Sequence, residues 1–183
     1  MLQRYKIIVL FLLILNTNSC NQNTNTQNMG TDKKIAVGDK APLFSLPDQN
    51  GKIISLSDFI GKTKLVIYFY PKDESYGCTK EACSFRDSYE DFKEAGAEVI
   101  GISADDEVSH QQFSAHHKLP FILLSDKDKQ VARLYNVGKS LGVLPGRVTF
   151  VVDLQGIIRM IYSSQINYQK HVDEAVEILK QLK

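Results

Sequence analysis

The period of the apolar positions changes repeatedly over residues 36–183, and each change marks an element. Leu65-Val66-Ile67-Tyr68-Phe69-Tyr70 is an unbroken apolar run of strand length, the pattern of a strand covered on both faces. Before it, residues 43–46 and 53–56 nearly alternate around Pro47-Asp48-Gln49-Asn50-Gly51, which predicts a short edge hairpin, and residues 57–62 predict a helical turn ended by Gly61. After it, Ala82, Phe85, Tyr89 and Phe92 recur at spacings of three and four, predicting one helix from Cys78 to about Ala95 that Gly96 stops. Residues 98–103 predict a second central strand and residues 105–117 a helix with acidic residues at its start, where the helix dipole favours them. A short strand at 121–124 and a short helix at 128–135 follow. Residues 147–152 and 157–162 flank Asp153-Leu154-Gln155-Gly156 as a hairpin. The chain closes with an amphipathic helix at 168–182 whose Val172, Ala175, Val176, Leu179 and Leu182 face inward. This succession describes an α/β fold, a central mixed sheet flanked by helices on both faces, in one domain over residues 36–183.

Residues 1–19 carry a different pattern. Arg4 and Lys6 precede the apolar stretch 7–15, and Asn16-Thr17-Asn18-Ser19 then leads to Cys20, in the order of an export signal. The apolar stretch is shorter than the ~20 residues a membrane-spanning helix needs. Ser19 followed by Cys20 resembles a bacterial lipoprotein processing site, so Cys20 is expected to be lipidated, although Thr17 stands where such sites usually carry leucine. The alternative is an ordinary secretory signal cut near Ser19. Residues 20–35, rich in Asn, Gln and Thr, are expected to be a flexible polar tether. The location this implies is exported and lipid-anchored, facing the periplasm or the cell exterior.

Composition narrows the function classes. Of 183 residues, 43% are hydrophobic and 23% charged, the balance of a soluble globular domain, and a net charge of +1 gives no electrostatic case for nucleic acid. The four histidines, His110, His116, His117 and His171, have no partner at a recognisable zinc spacing and read as surface residues, so neither metal nor cofactor is expected. An odd count of three cysteines in an exported chain needs an explanation, and lipidation of Cys20 would leave one pair, Cys78 and Cys83.

That pair carries the chemistry. Pro71 ends the apolar strand, and Cys78 then falls near a helix start, where unpaired backbone N–H groups and the positive dipole end favour a thiolate, the nucleophilic form. Ser75, three residues earlier, brings a hydroxyl that can approach the sulfur or a bound oxygen. On an unbroken helix Cys78 and Cys83 would have Cα atoms roughly 8–9 Å apart, given 1.5 Å and 100° per residue. A disulfide spans no more than about 7 Å. The pair therefore suits a redox switch that unwinds locally better than a structural staple.

Residues 68–73, Gly77-Cys78-Thr79, Glu81-Ala82-Cys83 and Phe85-Arg86-Asp87 resemble the peroxiredoxins, specifically the Q-type or bacterioferritin-comigratory-protein class. The resemblance runs from about Val37 to the C-terminus and includes Gly38-Asp39-Lys40-Ala41-Pro42 and the stretch 146–153. It implies a thioredoxin-like fold and peroxide reduction, with Cys78 as the attacking cysteine, Cys83 as the resolving one, and Pro71, Ser75 and Arg147 around them. It also implies a thioredoxin-like reductant, and the chain is expected to be a monomer. Arg147 suits this role chemically, since a guanidinium is always charged and offers planar donors both to a thiolate and to a departing oxygen. Ser75 replaces the commoner threonine, and Tyr76 replaces a usual proline, which predicts a less rigid loop and a more crowded pocket mouth. Two other functions compete. A thiol-disulfide oxidoreductase shares the fold but normally needs Cys-x-x-Cys, and a non-catalytic surface lipoprotein rests on the tether alone.

Overall fold

Described over residues 34–140 and 144–182 in a computed structural model, the chain opens with an antiparallel hairpin, Ser45–Pro47 (β1) and Ile53–Ser55 (β2). The Asp48 carboxylate fixes its turn by accepting from the backbone N–H groups of Asn50 and Lys52. A 3-10 turn at Leu56–Asp58 leads into Lys64–Phe69 (β3), then the helices Tyr76–Asp87 (α1) and Tyr89–Glu94 (α2). Ala97–Ser103 (β4), Glu107–His117 (α3), Ile122–Ser125 (β5) and Gln130–Leu134 (α4) follow. Lys139–Ser140 (β6) and Leu144–Pro145 (β7) form a small antiparallel pair that the apolar pattern does not announce. Val148–Val152 (β8), Ile158–Ser163 (β9) and Tyr168–Gln181 (α5) complete the chain.

The main sheet has the order β5-β4-β3-β8-β9, with β3, β4 and β5 parallel and β8 and β9 antiparallel to their neighbours. Successive strand residues point to opposite faces, and β3 therefore divides its apolar run between two cores. Val66 and Tyr68 face α1, α2 and α5, meeting Ala82, Phe85, Phe92, Val172, Ala175 and Leu179. Leu65, Ile67 and Phe69 face the other way, toward Ile54, Leu56, Val131 and Tyr135 from the hairpin, the 3-10 turn and α4. The mixed, helix-flanked α/β architecture expected from the pattern is thus the one observed.

The single helix expected from Cys78 to Ala95 is instead two. The chain leaves helical geometry at Ser88 (φ −105°, ψ 14°), yet Phe85 and Phe92 on either side are both buried, so the apolar spacing runs through the break without recording it. The helix also starts earlier than expected, at Tyr76, with Ser75 in the N-cap position. The signal segment 1–19, Cys20 and most of the tether lie outside the described residues.

Candidate active site

Three elements converge on Cys78. In α1, with Ser75 at the N-cap, Cys78 is the third helical residue, and the first intrahelical bond runs from the Thr79 N–H to the Ser75 carbonyl. Its own N–H therefore belongs to the turn that has no intrahelical acceptor, where the dipole is positive. The thiol is 1% exposed. From the start of β8 comes Arg147, whose Nη2 donates to Cys78 Sγ at 3.1 Å, and whose Nη1 donates to the Glu81 carboxylate, one helical turn along α1. The third element is α5, whose Tyr168 ring lies 5.1 Å from the Arg147 guanidinium. Gly77 makes room for that ring, since a Cβ there would stand 2.6 Å from Tyr168 Oη.

Glu81 is wholly buried, and burial pushes its carboxyl up to about 8 despite the opposing pull of Arg147. Its Oε1 and Arg147 Nε have no hydrogen-bond partner among the described residues. Behind Glu81 sits His171 of α5, also wholly buried, with Nδ1 2.8 Å from Thr149 Oγ1 and Nε2 3.0 Å from the Ser164 carbonyl. A carbonyl only accepts, so Nε2 carries the ring proton and Nδ1 accepts from the Thr149 hydroxyl. Burial drives His171 down to about 4. The 3.5 Å approach of Nδ1 to Glu81 Oε1 is accordingly a contact between two groups that are mainly neutral at pH 7, not an ion pair. Arg147 is left as the dominant charge beside the sulfur.

The loop between β3 and α1 is tied down separately. The buried Asp73 carboxylate accepts from Tyr70 Oη at 2.7 Å and Ser109 Oγ at 2.7 Å, and lies 2.9 Å from His110 Nδ1. Burial works to raise this carboxyl, but the bonds from His110, Ser109 and Tyr70 outweigh it and hold it below the usual carboxylate range. Pro71 comes two residues after the end of β3 and, with Phe69, Ile102 and Val137, lines a cavity of about 230 Å³ that Asp126, Lys129 and Arg133 also border. Ser75 is placed near the site but spends its proton on the Lys72 carbonyl at 3.0 Å, leaving its oxygen as an acceptor. Tyr76 does not crowd the site: it is 74% exposed and its ring carries the Lys80 ammonium at 4.5 Å. Cys83 lies in the same unbroken helix as Cys78, half-buried beside the Arg86 guanidinium, and both thiols are free.

The reading of the histidines as surface residues is corrected for two of the four. His110 and His171 are fully buried because each occupies the inward face of its helix: His110 is three residues before Phe113, and His171 four before Ala175. Those intervals were the available signal. Glu81 carried one too, being three residues after Cys78 and four before Phe85 on the packed side of α1.

Residues 37–161 match the AhpC/TSA family. Peroxiredoxin Q, chloroplastic, from Suaeda salsa is 52% identical over 150 residues, covering 81% of this chain and 70% of that protein. Among solved structures, peroxidoxin BcpB from Mycobacterium tuberculosis superposes with a TM-score of 0.75 at 35% identity, covering 81% of this chain and 99% of that one. The bacterioferritin comigratory protein of Xanthomonas campestris, studied for alkyl peroxide reduction, gives 0.69 at 33% identity, covering 75% and 90%. These relatives correct the expected address. The plant proteins are named chloroplastic, and none of the similarity extends to a lipoprotein anchor, so the exported, lipid-anchored location and the lipoprotein signal peptide are not supported. The reason is physical: a positively charged start followed by a short apolar stretch specifies no compartment by itself.

Proposed function

The chain belongs to the AhpC/TSA family and is a peroxiredoxin, a thiol peroxidase, and on that premise we propose that it reduces hydrogen peroxide and organic hydroperoxides through Cys78. The observation that carries this assignment is the 3.1 Å contact from the Arg147 guanidinium to Cys78 Sγ, made in the first turn of a helix. Both features place positive charge beside the sulfur that attacks. Sγ attacks the terminal peroxide oxygen, an S–O bond forms and the O–O bond breaks. The electron pair leaves on the other oxygen, which takes up a proton and departs as water or an alcohol. Arg147 and the backbone N–H of Cys78 face the charge that develops, and the Ser75 oxygen is available to accept a hydrogen bond from the peroxide.

The product is a sulfenic acid on Cys78. Cys83 then attacks that sulfur, an S–S bond forms and water leaves. Because α1 is unbroken from Tyr76 to Asp87, its Cα atoms at these positions are about 8–9 Å apart by helix geometry. The first turn has to unwind before the bond can close. An external dithiol of the thioredoxin type returns both thiols. Since both sulfurs belong to one helix of one domain, spanning residues 36–183, the cycle closes within a monomer.

The test follows peroxide loss with a supplied dithiol. Cys78→Ser is expected to abolish turnover, and activity that survives it would sink the assignment. Insulin reduction without peroxide consumption would point instead to a thiol-disulfide oxidoreductase.

A further inference from the structure

One cluster of side chains plays no part in this chemistry. At the C-terminal end of α3, His116 and His117 stack their rings with centroids 4.3 Å apart. Both reach Glu74, in the loop before α1: His116 Nδ1 lies 3.0 Å from Glu74 Oε1, and His117 Nε2 lies 3.0 Å from Oε2. The three ligand atoms all fall within 4.8 Å of one another. Glu74 is held at φ 56°, a left-handed conformation unusual for a residue with a side chain, so the loop presents this carboxylate in a fixed direction.

We propose that Glu74, His116 and His117 form a binding site for a borderline divalent cation, zinc(II) being the best fit. Two imidazoles and a carboxylate are a donor set zinc accepts, and three protein ligands leave a fourth position for water. With metal–ligand distances near 2.0–2.2 Å, ligand atoms in a tetrahedral site stand roughly 3.3–3.5 Å apart. The two 3.0 Å contacts engage different Glu74 oxygens, and one such oxygen and the two ring nitrogens lie within 4.8 Å of one another, so small side-chain rotations bring the three to tetrahedral spacing. His116 is 69% and Glu74 48% exposed at the side chain, so an ion reaches the site without any change in the core. A hard, oxygen-seeking cation such as magnesium is disfavoured by the two nitrogen donors.

The position gives the site a consequence. Glu74 immediately precedes the N-cap Ser75, and Cys78 is four residues beyond it. A cation held between Glu74 and α3 anchors the start of α1 to a second helix. Any rearrangement that displaces Glu74, as unwinding of the first turn does, then breaks a metal–ligand bond. Metal binding is thereby linked to the reduced, helical state. This second step rests on the proposed resolution by Cys83, whereas the site itself does not.

The test uses the full chain with Cys20, Cys78 and Cys83 replaced by serine, so that no thiol competes, and titrates it with a zinc salt by calorimetry. One equivalent is expected to bind, and Glu74→Gln, His116→Ala and His117→Ala are each expected to weaken binding at least tenfold, the lower end of the loss seen when even an indirect metal partner is removed. Cobalt(II) at the same site should give the visible absorption of a tetrahedral ion. Absence of binding, or binding that all three substitutions leave unchanged, overturns the site. In the chain with its cysteines, zinc should slow Cys78–Cys83 disulfide formation and His116→Ala should relieve the slowing. Equal slowing in His116→Ala overturns the linkage while leaving the site to be judged by the calorimetry.

Discussion

Replacing Arg147 by glutamine tests the central electrostatic argument. The substitution removes the charge whose Nη2 lies 3.1 Å from Cys78 Sγ, while retaining some of the side chain's volume and polarity. Two independent magnitudes bound the effect. Unit charges about 4 Å apart at an effective dielectric of about 20 interact by roughly 4 kcal/mol, an upper figure because the substituted site relaxes. Loss of a single preorganised donor to developing transition-state charge typically costs about 2.7–4 kcal/mol, or about 10²–10³ in rate. The fold is expected to survive. With the guanidinium gone, nothing opposes the effect of burial on Glu81, whose carboxyl moves further up and stays neutral, and an unsatisfied neutral group costs about 1–3 kcal/mol rather than the penalty of a bare buried charge. The assay is stopped-flow measurement of the second-order constant for peroxide with the reduced protein. Arg147→Gln should lose 100-fold or more, and Arg147→Lys should recover part of the loss by restoring charge without the planar fork. A rate within about threefold of wild type, in a variant of unchanged circular dichroism, would refute the role given to Arg147.

Three further outcomes follow from the buried groups and the second cysteine. Because Glu81 titrates near 8 in the folded chain and at an ordinary carboxylate value unfolded, its contribution to stability is complete below about 4.5 and is lost as pH rises through 8. The urea midpoint of wild type measured against Glu81→Gln should fall over that range, and the peroxide rate of wild type should drop relative to the variant above pH 8, where a new negative charge offsets Arg147. His171 has the opposite sign: its folded value near 4 is below the unfolded 6.5, so stability is present above 6.5 and lost as pH falls toward 4. Measured against wild type at the same pH, the urea midpoint of His171→Gln should therefore rise on going from pH 7 to pH 5. Cys83→Ser should stop disulfide turnover and let a sulfenic-acid reagent trap Cys78 stoichiometrically, and mass spectrometry finding no adduct in that variant would remove Cys83 from the resolving step.

The sheet was legible in the chain because burial on both faces leaves runs such as 65–70 with no polar interruption, and its mixed, helix-flanked class followed from the succession of elements, whereas the strand order β5-β4-β3-β8-β9 was not written in it. The site was legible only in part. Cys78 and Cys83 lie close together and betray their helix by spacing, whereas Arg147 comes from the residue before β8, 69 residues away from Cys78, and only resemblance linked the two. Glu81 and His171 were hidden by chemistry: a charged or titratable type is read as surface, and here burial has made both largely neutral. The Glu74 cluster spans 42 and 43 residues, and the left-handed turn that aims Glu74 has no signature in a non-glycine residue.

The break at Ser88 has a mechanical consequence. A helix melts cooperatively, so a continuous rod from Tyr76 to Glu94 would transmit the loosening of its first turn along its length. Here the disturbance meets an end. α2 is bolted to β4 on its own account, with Tyr89 Oη donating to Glu98 at 2.8 Å and Lys93 pairing with the same carboxylate at 3.2 Å. α1 can therefore act as a twelve-residue fuse that opens and resets while the wall behind it stays intact. Amide hydrogens of α1 should exchange as one early unit, distinct from those of α2, and the separation should widen when the chain is oxidised.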